Sequence, residues 1–177
     1  MHHTEINLIE INNKIKNKIS SLSLDEYDPK VIAVSKTFKE QDILPLLDHG
    51  HIDYGENKVQ EALFKWPKLK EKYKNVKLHM LGKLQTNKVK SAIDIFDYIH
   101  SLDNLKLANK LANEIHKKDK KIKMFIQINL GGEKQKSGIE PNDLEMFYKN
   151  CLSLKLYIVG TMCIPCLLYT SPSPRDV

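Results

Sequence analysis

The chain has 177 residues, with 28 Lys+Arg against 22 Asp+Glu, a net charge of +6 and 41% hydrophobic residues. That balance suits a single folded domain and excludes a disordered chain. No apolar run approaches the ~18–20 residues of a membrane span, and MHHTEINLIE is not a secretory signal. With 3 cysteines there is no disulfide framework, so a reduced, cytoplasmic protein that engages no membrane is expected.

Leu8, Ile11, Ile15, Ile19 and Leu22 recur at helical spacing and predict an amphipathic N-terminal helix. Asp28-Pro29 breaks the chain before VIAVSK (31–36), a β-branched run that predicts a buried strand. QDILPLLDHG then predicts a helix closed by Gly50. The pattern repeats with IDYGEN (52–57) before a helical NKVQEALFKW, and LHMLGKL (78–84) before TNKVKSAIDIF. YIHSL (98–102) precedes a helix from Asp103 to about Lys117, with Leu105, Ala108, Leu111, Ala112 and Ile115 on one face. MFIQINL (124–130), a Gly/Lys loop, a helix near 142–152 and LYIVGTM (156–162) complete the series.

Regular strand–helix alternation makes this an α/β chain with a parallel sheet, either doubly wound or a (β/α)8 barrel. No Gly-x-Gly-x-x-Gly follows the first strand, which weighs against a dinucleotide fold. Six strands are legible. A barrel needs eight, and two more units at ~30 residues each, from ~250 per eight-fold barrel, would add about 60 residues. The expectation is a TIM-type barrel of about six βα units over residues 1–165, with an extra N-terminal helix. Strands one and six would then form open edges, which are prone to aggregation.

The last twelve residues, CLLYTSPSPRDV (166–177), break from the composition before them. Of the 28 basic residues 27 are Lys, and the one Arg, Arg175, lies in this tail. One back-translation of Cys166 to Asp176 resembles the end adapter of a transposase-based sequencing library. The tail is therefore read as non-native and set aside. Cys163-Ile-Pro-Cys166 then loses its meaning as a redox or zinc motif; it neither opens a helix nor finds a second ligand pair. The histidines show no metal-ligand pattern.

Lys36 is the sharpest chemical position. Strand alternation places Ile32, Val34 and Lys36 on one face. A lysine ending an apolar lane is costly to desolvate, and the same burial would free the neutral amine that Schiff-base chemistry requires. It would lie at the barrel face where active sites are built. A lysine snorkelling at a strand end is the plain alternative. His79, in phase with Leu81, reads from its strand alone as a buried, hydrogen-bonded histidine. Asn57 ends the second strand on the face of Asp53, where it could equally cap the next helix. Met162 near the end of strand six packs either in the mouth or in plain core. KKDKKIK (117–123) reads as a solvated face and not a nucleic-acid patch, since arginines and interleaved aromatics are missing.

VIAVSK, YGENKVQE, LHMLGKLQTNK, IHSLDNLKLANKL, QINLGGEKQKSGI and GTMCIP occur in the order seen in the YggS/PROSC family. This family of pyridoxal 5′-phosphate (PLP) homeostasis proteins resembles the N-terminal barrel of alanine racemase. The resemblance, from about residue 31 to 165, implies PLP held as an internal aldimine on Lys36. It also implies Asn57 and His79 beside the cofactor; Glu133, Lys136, Ser137 and Gly138 match a loop typical of the family and are read as ordering that loop and not as catalytic. The implied function is PLP homeostasis by a cofactor carrier without turnover, a monomer with PLP-dependent apoenzymes as acceptors. A PLP-dependent amino-acid racemase is the alternative, but two-base racemisation needs a second group that the sequence does not reveal. The family's Ser-Met-Gly-Met-Ser and later Arg-x-Gly, which supply much of the phosphate cradle, do not occur here.

Overall fold

The computed structural model describes residues 2–24, 26–131 and 137–164. The expected non-native tail, Cys166 within it, and Glu133 and Lys136 lie outside the described residues. Six strands, β1 (Ala33–Val34), β2 (Asp53–Glu56), β3 (Lys77–Met80), β4 (Tyr98–Leu102), β5 (Lys123–Ile128) and β6 (Tyr157–Cys163), form one sheet in sequence order. Every neighbouring pair is parallel. A doubly wound sheet reverses its strand order at a switch point, whereas a barrel winds one way. The order therefore decides for the barrel type.

The helices are α1 (His3–Ser21), α2 (Glu40–Asp48), α3 (Val59–Lys72), α4 (Val89–Ile95), α5 (Leu105–Lys118) and α6 (Leu144–Ser153). Local chemistry sets their ends. Asn104 caps α5 by accepting from the Leu107 N–H at 2.8 Å, and Asp119 closes it in a left-handed conformation at φ +47°. Gly50, at φ +89°, follows α2 as expected.

The core lies between the sheet and its helices, with Tyr54, Trp66, Leu78, Met80, Ile99, Leu107 and Met124 fully buried. On α5, Leu107 takes the buried place expected of Leu105, which is 45% exposed at the first helical residue. α1 is helical as predicted, yet of its apolar stripe only Leu8 is buried. VIAVSK forms less strand than its composition suggests: only Ala33 and Val34 pair, with Tyr54 and Gly55. The chain then turns at Thr37, whose φ is +66°. Among the described residues β1 pairs only with β2 and β6 only with β5, leaving the open edges expected. No helix among the described residues is long and apolar enough to cross a membrane. The 117–123 lysines are largely solvated, although Lys118 pairs with Asp94 at 2.6 Å.

Candidate functional site

The C-terminal ends of the strands open on a cavity of about 460 Å3. Strand alternation delivers its walls. Val34 and Lys36 reach it from β1, Asn57 follows β2, and Leu81, Gly82 and Lys83 follow β3. Gln127 and Asn129 stand at the end of β5, and Met162 at the end of β6. Lys36 and Asn57, just beyond the ends of β1 and β2, and Met162 near the end of β6 are thus brought together.

Lys36 departs from expectation in one respect: its side chain is exposed, so the desolvation foreseen for an apolar lane does not act on it. The reason is geometric. β1 ends two residues earlier and the chain turns outward at the cavity mouth. Among the described residues Lys36 Nζ has no hydrogen-bond or ion-pair partner. Ser35, on the opposite face, is buried.

Asn57 is not the cap of α3. Lys58 occupies that position without a side-chain cap bond, and Asn57 lines the cavity instead. Its place depends on Gly82. A Cβ there would lie 2.3 Å from the Asn57 carbonyl oxygen and 2.9 Å from its carbonyl carbon. Only glycine lets the ends of β2 and β3 approach so closely. Gly82→Ala is therefore expected to displace Asn57 and cost about 1–3 kcal/mol of stability, read as a lower urea midpoint.

His79 is buried and is not among the residues lining the cavity. It lies in a polar chain within the sheet's interior face. Its Nε2 is 3.1 Å from Asp53 Oδ1, its Nδ1 is 2.9 Å from His100 Nε2, and its ring stacks on Tyr98 at 4.3 Å. A carboxylate only accepts, so His79 Nε2–H donates to Asp53. A neutral His79 then accepts at Nδ1 from His100 Nε2–H. Burial lowers the pKa of His79 against the opposing pull of Asp53. Burial likewise takes His100 down to about 4, with His79 adding to the shift.

The loop after β5 returns to the cavity through backbone pairing. Asn129 N–H donates to Ile139 O and Ile139 N–H to Gln127 O, both at 2.9 Å, while Gln127 Nε2 donates to Ser137 O at 2.9 Å. Gly138 makes this close return possible: at φ +131° its Cβ would stand 2.7 Å from Asn129 N. Ser137, next to Gly138, lines the cavity.

Lys83, Gln127 and Asn129 escaped the sequence reading. One lysine beyond a strand end among 27 carries no signal. Gln127 and Asn129, however, are the alternate polar positions of the otherwise apolar MFIQINL, a period-two signal that could have marked them. Among the described residues no group of three or more His, Cys, Asp or Glu side chains could hold a metal.

A one-way parallel sheet with a lysine-bearing cavity at the C-terminal strand ends defines a barrel-type α/β fold with its cavity at the face where such folds build their sites. The model of the alanine racemase N-terminal domain matches residues 6–174. The pyridoxal phosphate homeostasis protein of Pasteurella multocida is 35% identical over 162 residues, covering 91% of this chain and 70% of that protein. PipY of Synechococcus elongatus, in a structure with PLP bound, matches with a TM-score of 0.72 at 33% identity over 82% of this chain and 69% of PipY. Alanine racemase of Clostridium difficile shares the fold at a TM-score of 0.60 and 17% identity, covering 77% of this chain and 36% of the racemase. The chain belongs to the alanine racemase N-terminal domain family, among the pyridoxal phosphate homeostasis proteins.

Proposed function

We propose that this chain binds pyridoxal 5′-phosphate at the strand-end cavity through Lys36, and that it stores and hands on the cofactor without turning over a substrate. The observation that carries this reading is the Lys36 amine, without a partner among the described residues, at a cavity of about 460 Å3, within the roughly 300–1,000 Å3 of small-molecule sites. When bound, the cofactor supplies an aldehyde that condenses with a lysine amine. The residues present suit it. Lys36 would offer the amine, Lys83 a second cation for the phosphate, Asn57, Gln127 and Asn129 polar contacts, and Leu81 and Met162 apolar surface. His79, which the family resemblance places near the ring, is held by Asp53 and His100.

The exposed position of Lys36 favours a carrier. An incoming amine, such as the active-site lysine of a PLP-dependent apoenzyme, can reach it from solvent. In this reading the protein acts as a monomer, and its six βα units over residues 1–165 form the cofactor-binding domain.

Mixing the purified protein with PLP is expected to give a yellow species that borohydride bleaches. Peptide mass spectrometry should then place the reduced adduct on Lys36, and Lys36→Ala should abolish it. No colour in the wild type, or an adduct at another lysine only, would overturn the reading. Deuterium exchange at an amino-acid Cα, expected to be absent, separates a carrier from a racemase.

A further inference from the structure

Both peptide groups that flank Lys36 are gripped from α3. The Ser35 carbonyl, which precedes Lys36, accepts from Lys65 Nζ at 2.7 Å. The Thr37 N–H, which follows it, donates to Glu61 Oε1 at 2.5 Å. The two grips share one hub, because Lys65 Nζ also donates to Glu56 Oε1 at 2.8 Å and to Glu61 Oε1 at 3.3 Å. Glu56 extends the hold, accepting from Ser35 Oγ at 2.8 Å and from Trp66 Nε1 at 2.9 Å.

The Lys65 ammonium is 5% exposed, so it must leave water to serve here, and its three protons meet three acceptors. Apolar residues often replace a buried ion pair at little or no loss of stability. The distinguishing service of the ion pair is therefore what it holds. The held turn also needs an outside grip, because Thr37 is a β-branched residue in the left-handed region at φ +66°.

We infer that Lys65, Glu56 and Glu61 are positioning residues for Lys36, fixing the peptides on either side of it so that its amine stands at the cavity. This rests on the reading of Lys36 as the cofactor lysine. It extends that reading to a charged cluster on the outer side of the sheet that never touches the ligand. Glu61 and Lys65, four residues apart on α3, face the same way and close the cluster.

Glu61 provides the cleanest test, since its side chain is 26% exposed and its loss strands no fully buried charge. In the full chain without cofactor, Glu61→Ala should speed amide hydrogen exchange at Thr37 about tenfold while the amides of α3 keep their rates. With PLP added, formation of the borohydride-trapped Lys36 adduct should slow about tenfold. Glu61→Gln, whose amide oxygen can still accept from Thr37 N–H, should restore both. Unchanged exchange at Thr37, an unchanged adduct rate, or a Gln variant as slow as the Ala variant would each overturn the inference while leaving the wild-type adduct in place. A wild type that forms no adduct removes the cofactor reading itself, and this inference with it.

Discussion

Glu56→Ala is expected to lower the unfolding free energy by about 3–5 kcal/mol, the cost of leaving a buried charge without its partner. Against a typical total of about 5–15 kcal/mol, that is a third or more of the fold's stability. Glu56 is fully buried and its Oε1 receives Lys65, Trp66 and Ser35. Truncation strands the Trp66 indole N–H, leaves the Lys65 ammonium with Glu61 Oε1 at 3.3 Å as its remaining charged partner, and leaves the Ser35 hydroxyl only the Gly55 carbonyl at 3.3 Å. Glu56→Gln keeps an oxygen in place and should cost less. The double variant Glu56→Leu with Lys65→Leu should recover most of the loss, because removing both charges also removes both desolvation penalties. Urea midpoints of the three variants check this ladder. A single-variant cost under ~1 kcal/mol, the worth of an exposed ion pair, would show that the cluster is solvated.

Acid should destabilise the protein through His100. Its ring is buried, stacks on Phe125 at 4.3 Å and meets His79 across β3 and β4. Burial, with His79 adding to it, lowers its pKa from 6.5 to about 4. A depressed histidine pKa means that the unfolded chain takes up the proton first. Stability is therefore fully present above pH 6.5 and falls as the pH drops toward 4. Between pH 7.5 and 5 this one group accounts for about 2 kcal/mol. His79, also lowered by burial, moves the same way, and Asp53 opposes it. His100→Gln, which cannot take the charge but can still meet His79 Nδ1, should flatten that part of the stability–pH curve. An equally steep loss in His100→Gln would assign the acid sensitivity to other groups.

Much of the architecture was legible because it rests on periodicities a linear reading can count. YIHSL became β4 to the residue, since its apolar run has clear boundaries on both sides. VIAVSK, by contrast, yielded two paired residues, because pairing depends on where the neighbouring strand ends and not on β-branching. The Val34–Lys36 lane and the strand-end positions of Asn57 and Met162 followed from alternation, and all three side chains line the cavity. Why the Lys36 amine has no partner among the described residues was not legible. That depends on Thr37 turning left-handed and on Lys65 and Glu61, which lie some thirty residues away in a helix whose sequence reads as ordinary.

The sequence alone determined the α/β class, the strand–helix alternation, the family and the identity of the lysine at the first strand's end, all carried by local spacing and motif. Only the tertiary structure decided that the strands run one way around the sheet, that His79 bonds to Asp53 and His100, and that a buried Glu56–Lys65 pair bonds to Ser35 beside Lys36. The physical reason is the same in each case. Hydrogen-bond partners and burial are properties of residues distant in the chain, and side chains of one type in one local pattern become core, ligand or support according to what the fold sets against them.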